Sequence, residues 1–175
     1  MKLKDIGEFG FIDRISRGCL IRPAGIVKAI GDDAAAFRSE PDLLNLLTTD
    51  LLVERVHFLR DAADGYCLGY KALAVTLSDI AAMGGTARNA FVSIAVPQEV
   101  SLDFLDELYR GMKSLAAEHE INILGGDTTG SSDDLVINVV VTGTVAESDV
   151  LFRDKARIGD VIFSSGCLGD SRAGL

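Results

Sequence analysis

The sequence predicts a mixed α/β or α+β domain, and three observations carry that reading. Apolar residues recur at helical spacing in two long segments, 65–84 and 102–120. Shorter runs around them are rich in valine, isoleucine and leucine, the composition of buried strands. The order along the chain is strands, helix, strand, helix, strands, which is neither a bundle nor a sandwich. With 175 residues, 48% of them hydrophobic, the chain can bury one real core. Aromatics are only 6% and tryptophan is absent, so alanine, valine, leucine and isoleucine must build it.

Residues 8–18, "EFGFIDRISRG", place apolar positions at helical spacing and predict a short first helix. Residues 26–30 and 34–38 read as short strands on either side of the pair Asp32-Asp33. The segment 43–58 begins as a buried strand, is interrupted by Thr48-Thr49-Asp50 and resumes as a second extended run. Residues 65–84 form a long alanine-rich helix with Gly84-Gly85 as its stop. "NAFVSIAVP", 89–97, is a strand closed by Pro97, and Ser101 then caps the next helix. A short strand "INIL" leads into "GGDTTGSS", read as a loop, before the long β-run 135–145 and the extended stretch 159–166. The run 135–145 is too uniformly β-branched for an exposed edge, which would be an aggregation hazard. Periodicity leaves the strand order open.

Net charge is −9, so nucleic acid and anionic membranes are disfavoured as partners. A phosphorylated substrate would need divalent cations to mediate its contact with such a chain. No apolar run approaches the ~20 residues of a membrane span, and the start lacks the pattern of a signal peptide. Cys19, Cys67 and Cys167 are widely spaced, and His57 and His119 are the only histidines. That excludes an ordinary zinc site and fits a reducing, cytoplasmic setting.

Four acidic positions share a context: Asp32/Asp33, Asp50, Asp79 and Asp127. Three follow apolar strand-like runs, the positions where sheets of this kind place ligand chemistry. No Lys or Arg lies between Arg38 and Arg55, between Lys71 and Arg88, or between Lys113 and Arg153. Asp32-Asp33 alone reads equally as turn chemistry. Asp79 falls late in a helix, where a negative charge is disfavoured by ~0.3–1 kcal/mol. Either it faces solvent or a cation meets it. Oxygen donors without His or Cys suit Mg²⁺ before Ca²⁺, and Thr48, Thr49, Thr128 and Thr129 add further oxygens. Neither an EF-hand loop nor a Walker A loop is present in the sequence.

The ordered motifs "IGDDAA", "TTDLLVERVHF", "GYKALAVTLSDIAAMGG", "LGGDTT", "GDVIFSSG" and "LGDSRAGL" resemble the thiamine-monophosphate kinase family from about residue 5 to the end. The resemblance covers that family's N-terminal domain, which has the aminoimidazole ribonucleotide synthetase-like fold, a mixed sheet packed against helices. It implies that Asp33 is a magnesium ligand supported by Asp32, and that Thr48, Thr49 and Asp50 bind further magnesium ions. Asp79 matches a carboxylate shared among several ions, and Gly126 and Asp127 match a pair meeting nucleotide and metal. Tyr109 and Arg153 correspond to ATP contacts, and His57 to a residue near the thiamine phosphate. Helix packing for Tyr109 and a solvated charge for Arg153 are the plainer alternatives. Three positions depart from the family pattern: Arg55 for Gly, Thr76 for Asn and Gly130 for Arg.

The resemblance implies ATP-dependent transfer of a phosphoryl group to thiamine monophosphate, with several Mg²⁺ ions, and a homodimer formed through this domain. Residues 1–150 would be the ATP- and magnesium-binding domain and 151–175 the truncated start of a second one. The final "GCLGDSRAGL" reads as a loop entering a helix, and a frayed natural end is the alternative. Two rivals stand beside this reading. One is another ATP-dependent enzyme of the same fold, acting on a purine precursor, selenide or a hydrogenase-maturation partner. The other is a non-catalytic, metal-stabilised dimerisation module.

Overall fold

A computed structural model describes residues 3–16, 19–164 and 166–169. The elements are α1 (Leu3–Ser16), β1 (Ile26–Lys28), β2 (Ala35–Glu40), β3 (Leu43–Val53), α2 (Gly65–Ala82), β4 (Thr86–Pro97), α3 (Leu102–Glu118), β5 (Asn122–Ser131) and β6 (Val136–Ala146). Six strands form one sheet in the order β1-β2-β3-β6-β4-β5. Every pairing is antiparallel except β4 with β5, which α3 joins as a crossover. The expected mixed sheet packed against helices is therefore observed.

Helix α2 lies over β3, β6 and β4, and α3 packs beside it and reaches β5. The core between them is aliphatic: Leu44, Leu46, Ile137, Val139 and Val141 meet Leu68, Leu73, Ile80, Leu108 and Met112. Strict alternation along β6, with every second residue buried, shows that only one face of the sheet is covered. Leu47, Leu51 and Phe91 remain exposed on the other face.

The Ser101 cap and the Gly84-Gly85 stop are as the sequence implies, and Asp64 adds a cap beyond those expected. The Ser101 hydroxyl accepts the Phe104 N–H at 3.2 Å, and Asp64 accepts that of Cys67 at 2.8 Å. Gly84, at φ +74°, turns the chain out of α2, and the Gly85 N–H returns to the Ile80 carbonyl.

Four expectations are corrected. Helix α1 starts earlier than predicted, and residues 17–18 lie outside the described ones. Thr48-Thr49-Asp50 does not interrupt β3, because β6 pairs with it residue for residue from Leu43 to Val53. "GGDTTGSS" is not a loop: all but its last serine belongs to β5, drawn into the sheet by parallel pairing with β4. Residues 159–164 and 166 carry no regular structure, Ser165 lies outside the described residues, and so does the predicted helix entry beyond Gly169. The run 135–145 needs no second chain to pair with, since its strand β6 lies inside the sheet between β3 and β4.

Glycines set the spacing of the helix pair. A Cβ on Gly69 would sit 1.8 Å from the Leu108 carbonyl oxygen, and one on Gly111 would sit 2.0 Å from that of Tyr66. Gly69→Ala should therefore destabilise the domain by ~1–3 kcal/mol through overpacking. Urea unfolding measures it, and an unchanged midpoint would show that the helices can separate freely.

Candidate functional site

The acidic positions converge where β3, the end of α2 and the loop before β2 meet. Alternation along β3 turns Thr48 and Asp50 toward α2 and Thr49 away from it. The buried Thr48 hydroxyl donates to Asp79 Oδ2 at 2.6 Å. Asp79 is half-buried. Burial pushes its carboxyl above the usual range, the Thr48 hydrogen bond pulls it down, the negative charges of Asp50 and Asp33 push it further up, and Arg153 opposes them. Asp79 thus lies within the field of Asp50, Asp33 and Arg153.

Arg153 forms an ion pair with Asp33, and its Nε stands 3.6 Å from Asp32 Oδ1. Lys28 also reaches Asp32, at 3.2 Å, and binds Asp154 at 2.8 Å while its ammonium lies over the Phe152 ring. The acids therefore do have cations: Lys28, four residues before Asp32, and Arg153, 120 residues beyond Asp33 in the chain. The Asp32 side chain is wholly buried, with Oδ2 facing the Lys28 ammonium and Oδ1 facing Arg153.

Among the described residues no three His, Cys, Asp or Glu side chains close into a ready-made metal cage. The donor set nonetheless fits a hydrated Mg²⁺, which keeps several waters and bridges carboxylates to phosphates instead of filling an all-protein cage. It is all oxygen, and Asp32, Asp33, Asp50 and Asp79 outnumber the two cations, Lys28 and Arg153, that reach them.

Other expected site residues stand apart from this cluster within one chain. The Thr49 hydroxyl accepts the Asn138 amide at 2.8 Å on the opposite face, so only its backbone could serve Asp50's side of the sheet. Gly126 and Asp127 are on the edge strand β5, three strand spacings or about 14 Å from β3. Asp127 pairs with Ser93, and that row of the sheet, with Asn138 and Leu51, faces away from α2. Gly126 has a physical reason to be glycine: a Cβ there would lie 1.6 Å from the Val92 carbonyl oxygen. Tyr109 is half-buried against the core, and burial raises its phenol. Helix α3 runs in the direction of α2, with Tyr66 meeting Ser114 and Tyr70 meeting Glu118, so Tyr109 and Asp79 lie toward opposite ends of the pair.

His57 occupies the turn after β3 and lines a cavity of about 580 Å³ with Arg55, Phe58, Cys67, Leu68 and Lys71. Lys71 carried no signal in the sequence, because its place beside His57 depends on how α2 docks. Arg55 has φ +64°, a left-handed conformation that favours glycine and explains why Gly suits that position. Thr76 is buried and returns its hydroxyl to the Ala72 carbonyl, so it needs no other partner.

Fold and site together define a class: a one-sided mixed-sheet domain with a carboxylate cluster suited to hard cations. Residues 31–145 match the family model described as AIR synthase related protein, N-terminal domain, and the chain belongs to that family. It is 37% identical to thiamine-monophosphate kinase of Bacillus subtilis over 96% of its length, and 39% identical to that of Aquifex aeolicus over 100%. The chain spans about half the length of these curated relatives, 51% and 54%. Its structure is similar to AaThiL complexed with AMPPCP and TMP, with a TM-score of 0.88, 37% identity, and coverage of 99% of this chain and 53% of that one. A hydrogenase maturation protein HypE in complex with ATP is similar in fold alone, at TM-score 0.54 and 22% identity. No helix among the described residues is long and apolar enough to cross a membrane.

The raised Asp79 carboxyl has a sign that can be tested. A folded-state value above the unfolded one means that ionised Asp79 costs stability at neutral pH, a cost that disappears below the unfolded value near 4. Asp79→Asn should raise the melting temperature of the metal-free protein at pH 7 by about 1–4 °C, the equivalent of ~0.3–1 kcal/mol. The gain should vanish toward about pH 4. A variant that melts lower than wild type at pH 7 would contradict it.

Proposed function

We propose that this chain is the nucleotide- and magnesium-binding half of a thiamine-monophosphate kinase. The observation that carries the reading is the convergence of Asp33, Asp50 and Asp79 around Arg153, in a chain whose structural likeness includes a relative complexed with AMPPCP and TMP. In the reaction, a phosphate oxygen of thiamine monophosphate attacks the γ-phosphorus of ATP. The bond to the β-bridging oxygen breaks, ADP leaves with that electron pair, and thiamine diphosphate forms. Donor and acceptor are both anions, so alignment and charge neutralisation are the main tasks.

Magnesium, when bound, supplies the positive charge that a −9 chain lacks. Asp33, Asp50 and Asp79 would hold it, with Thr48 orienting Asp79 and the Thr49 backbone beside them. Arg153 would exchange Asp33 for the nucleotide's phosphates. Gly126 and Asp127 would meet nucleotide and metal from β5, Tyr109 would contact ATP from α3, and His57 would face the thiamine phosphate. A second domain would start near residue 151, since the described segment 147–164 carries neither helix nor strand. The setting would be cytoplasmic.

Two measurements test this reading. A non-hydrolysable ATP analogue should raise the melting temperature by several degrees with Mg²⁺ and not with EDTA, and Asp79→Asn should lose most of that shift. Equal stabilisation under both conditions would remove magnesium from the account. We also infer a homodimer through the sheet face that no helix covers, where Leu47, Leu51 and Phe91 are exposed. Light scattering should give twice the chain mass, with Leu51→Glu shifting it to one. A monomer across micromolar concentrations would refute the dimer.

A further inference from the structure

The turn after β3 is closely tied for an exposed segment. The Val56 and His57 N–H groups both donate to the Val53 carbonyl, at 3.1 and 2.9 Å, and the Arg55 N–H donates to that of Phe58 at 2.7 Å. Beneath it the buried Glu54 accepts the Leu135 N–H at 2.9 Å and stands 3.3 Å from Arg60 Nε. Two further contacts act on His57 itself. The Val53 N–H donates to His57 Nδ1 at 3.0 Å, and Lys71 Nζ, reaching across from α2, donates to the His57 carbonyl at 2.8 Å.

The first contact decides the tautomer. A ring nitrogen that accepts an amide proton carries none of its own, so the proton of the neutral imidazole is on Nε2. The second contact ties the main chain that carries the ring to α2. Lys71 meets no carboxylate among the described residues, and one of its three N–H bonds is spent on a backbone oxygen of the residue beside it in the cavity. That bond joins the middle of α2 to the turn after β3 and sets the distance between them.

We propose that Lys71 is a positioning residue: through the His57 carbonyl it holds that imidazole as a fixed Nε2–H donor toward the phosphate of the acceptor. The inference rests on reading the His57 cavity as the acceptor side. It assigns His57 a donor role and no proton transfer, because the Val53 amide occupies the nitrogen that a base would use.

The test has two arms. In this chain, which has two histidines, long-range ¹H–¹⁵N spectra assigned with His57→Gln should show a single His57 tautomer with hydrogen-bonded Nδ1. Lys71→Met should broaden or average that signal, and Lys71→Arg should restore it. An unchanged spectrum in Lys71→Met would overturn the proposal. In the full-length protein, Lys71→Met should raise KM for thiamine monophosphate by up to ~10-fold, as expected for one hydrogen bond, with KM for ATP unchanged. The double variant with His57→Gln should be no worse than His57→Gln alone, because Lys71 acts through His57. Additive losses would overturn the positioning role. If His57→Gln leaves KM for thiamine monophosphate unchanged, the acceptor-side reading fails, while the spectra still report separately on the Lys71–His57 contact.

Discussion

The close seating of α2 on the sheet is the constraint on which the rest of this molecule depends. Its first turns approach α3 without side chains between the backbones, because Gly65, Gly69 and Gly111 stand at the contacts. Along its length it buries Leu68, Leu73 and Ile80 against β3, β6 and β4. Its last turn then delivers Asp79 to hydrogen-bonding distance of Thr48. Its outer surface carries Lys71 to the turn that bears His57. Both the acid cluster and the histidine cavity are consequences of one packing arrangement.

That arrangement creates an electrostatic problem. Three carboxylates share a partly buried region, and Asp79 registers it through loss of solvation and the repulsion of its neighbours. Arg153 and Lys28 offset part of the charge. Lys28 joins Asp32 to Asp154, so the segment beyond the last strand is fastened to the same loop that carries the acids. A nucleotide bringing Mg²⁺ would offer the cluster a stronger cation and offer Arg153 a stronger anion. The same charges account for the apo state and for the proposed chemistry.

The two halves of the candidate chemistry also differ in how they are built. The acids belong to separate elements and meet only through packing, which lets them adjust to a hydrated ion. The His57 turn is held by its own backbone, with Arg55 in a left-handed conformation and Glu54 buried beneath it. A ligand that must be aligned suits a rigid support; ions that bring their own waters do not require one.

What the sequence alone determined is local in origin. The helices, their caps at Ser101 and Gly84, the aliphatic core and the acidic positions follow from periodicity, capping and charge, which neighbours along the chain decide. The family was legible for the same reason, since its motifs are short contiguous runs. Tertiary structure decided the rest. Pairing with β6 kept β3 continuous through three polar residues, and pairing with β4 made a strand of a glycine-rich stretch that reads as a loop. The two-residue period of β3 separated Thr49 from Thr48 and Asp50. Sheet order put Asp127 on the edge strand β5, three strands away from Asp50 on β3, and α2 brought Lys71 to His57. These are contacts between residues far apart in the chain, and no local propensity encodes which distant segment will supply the hydrogen bond or the opposite charge.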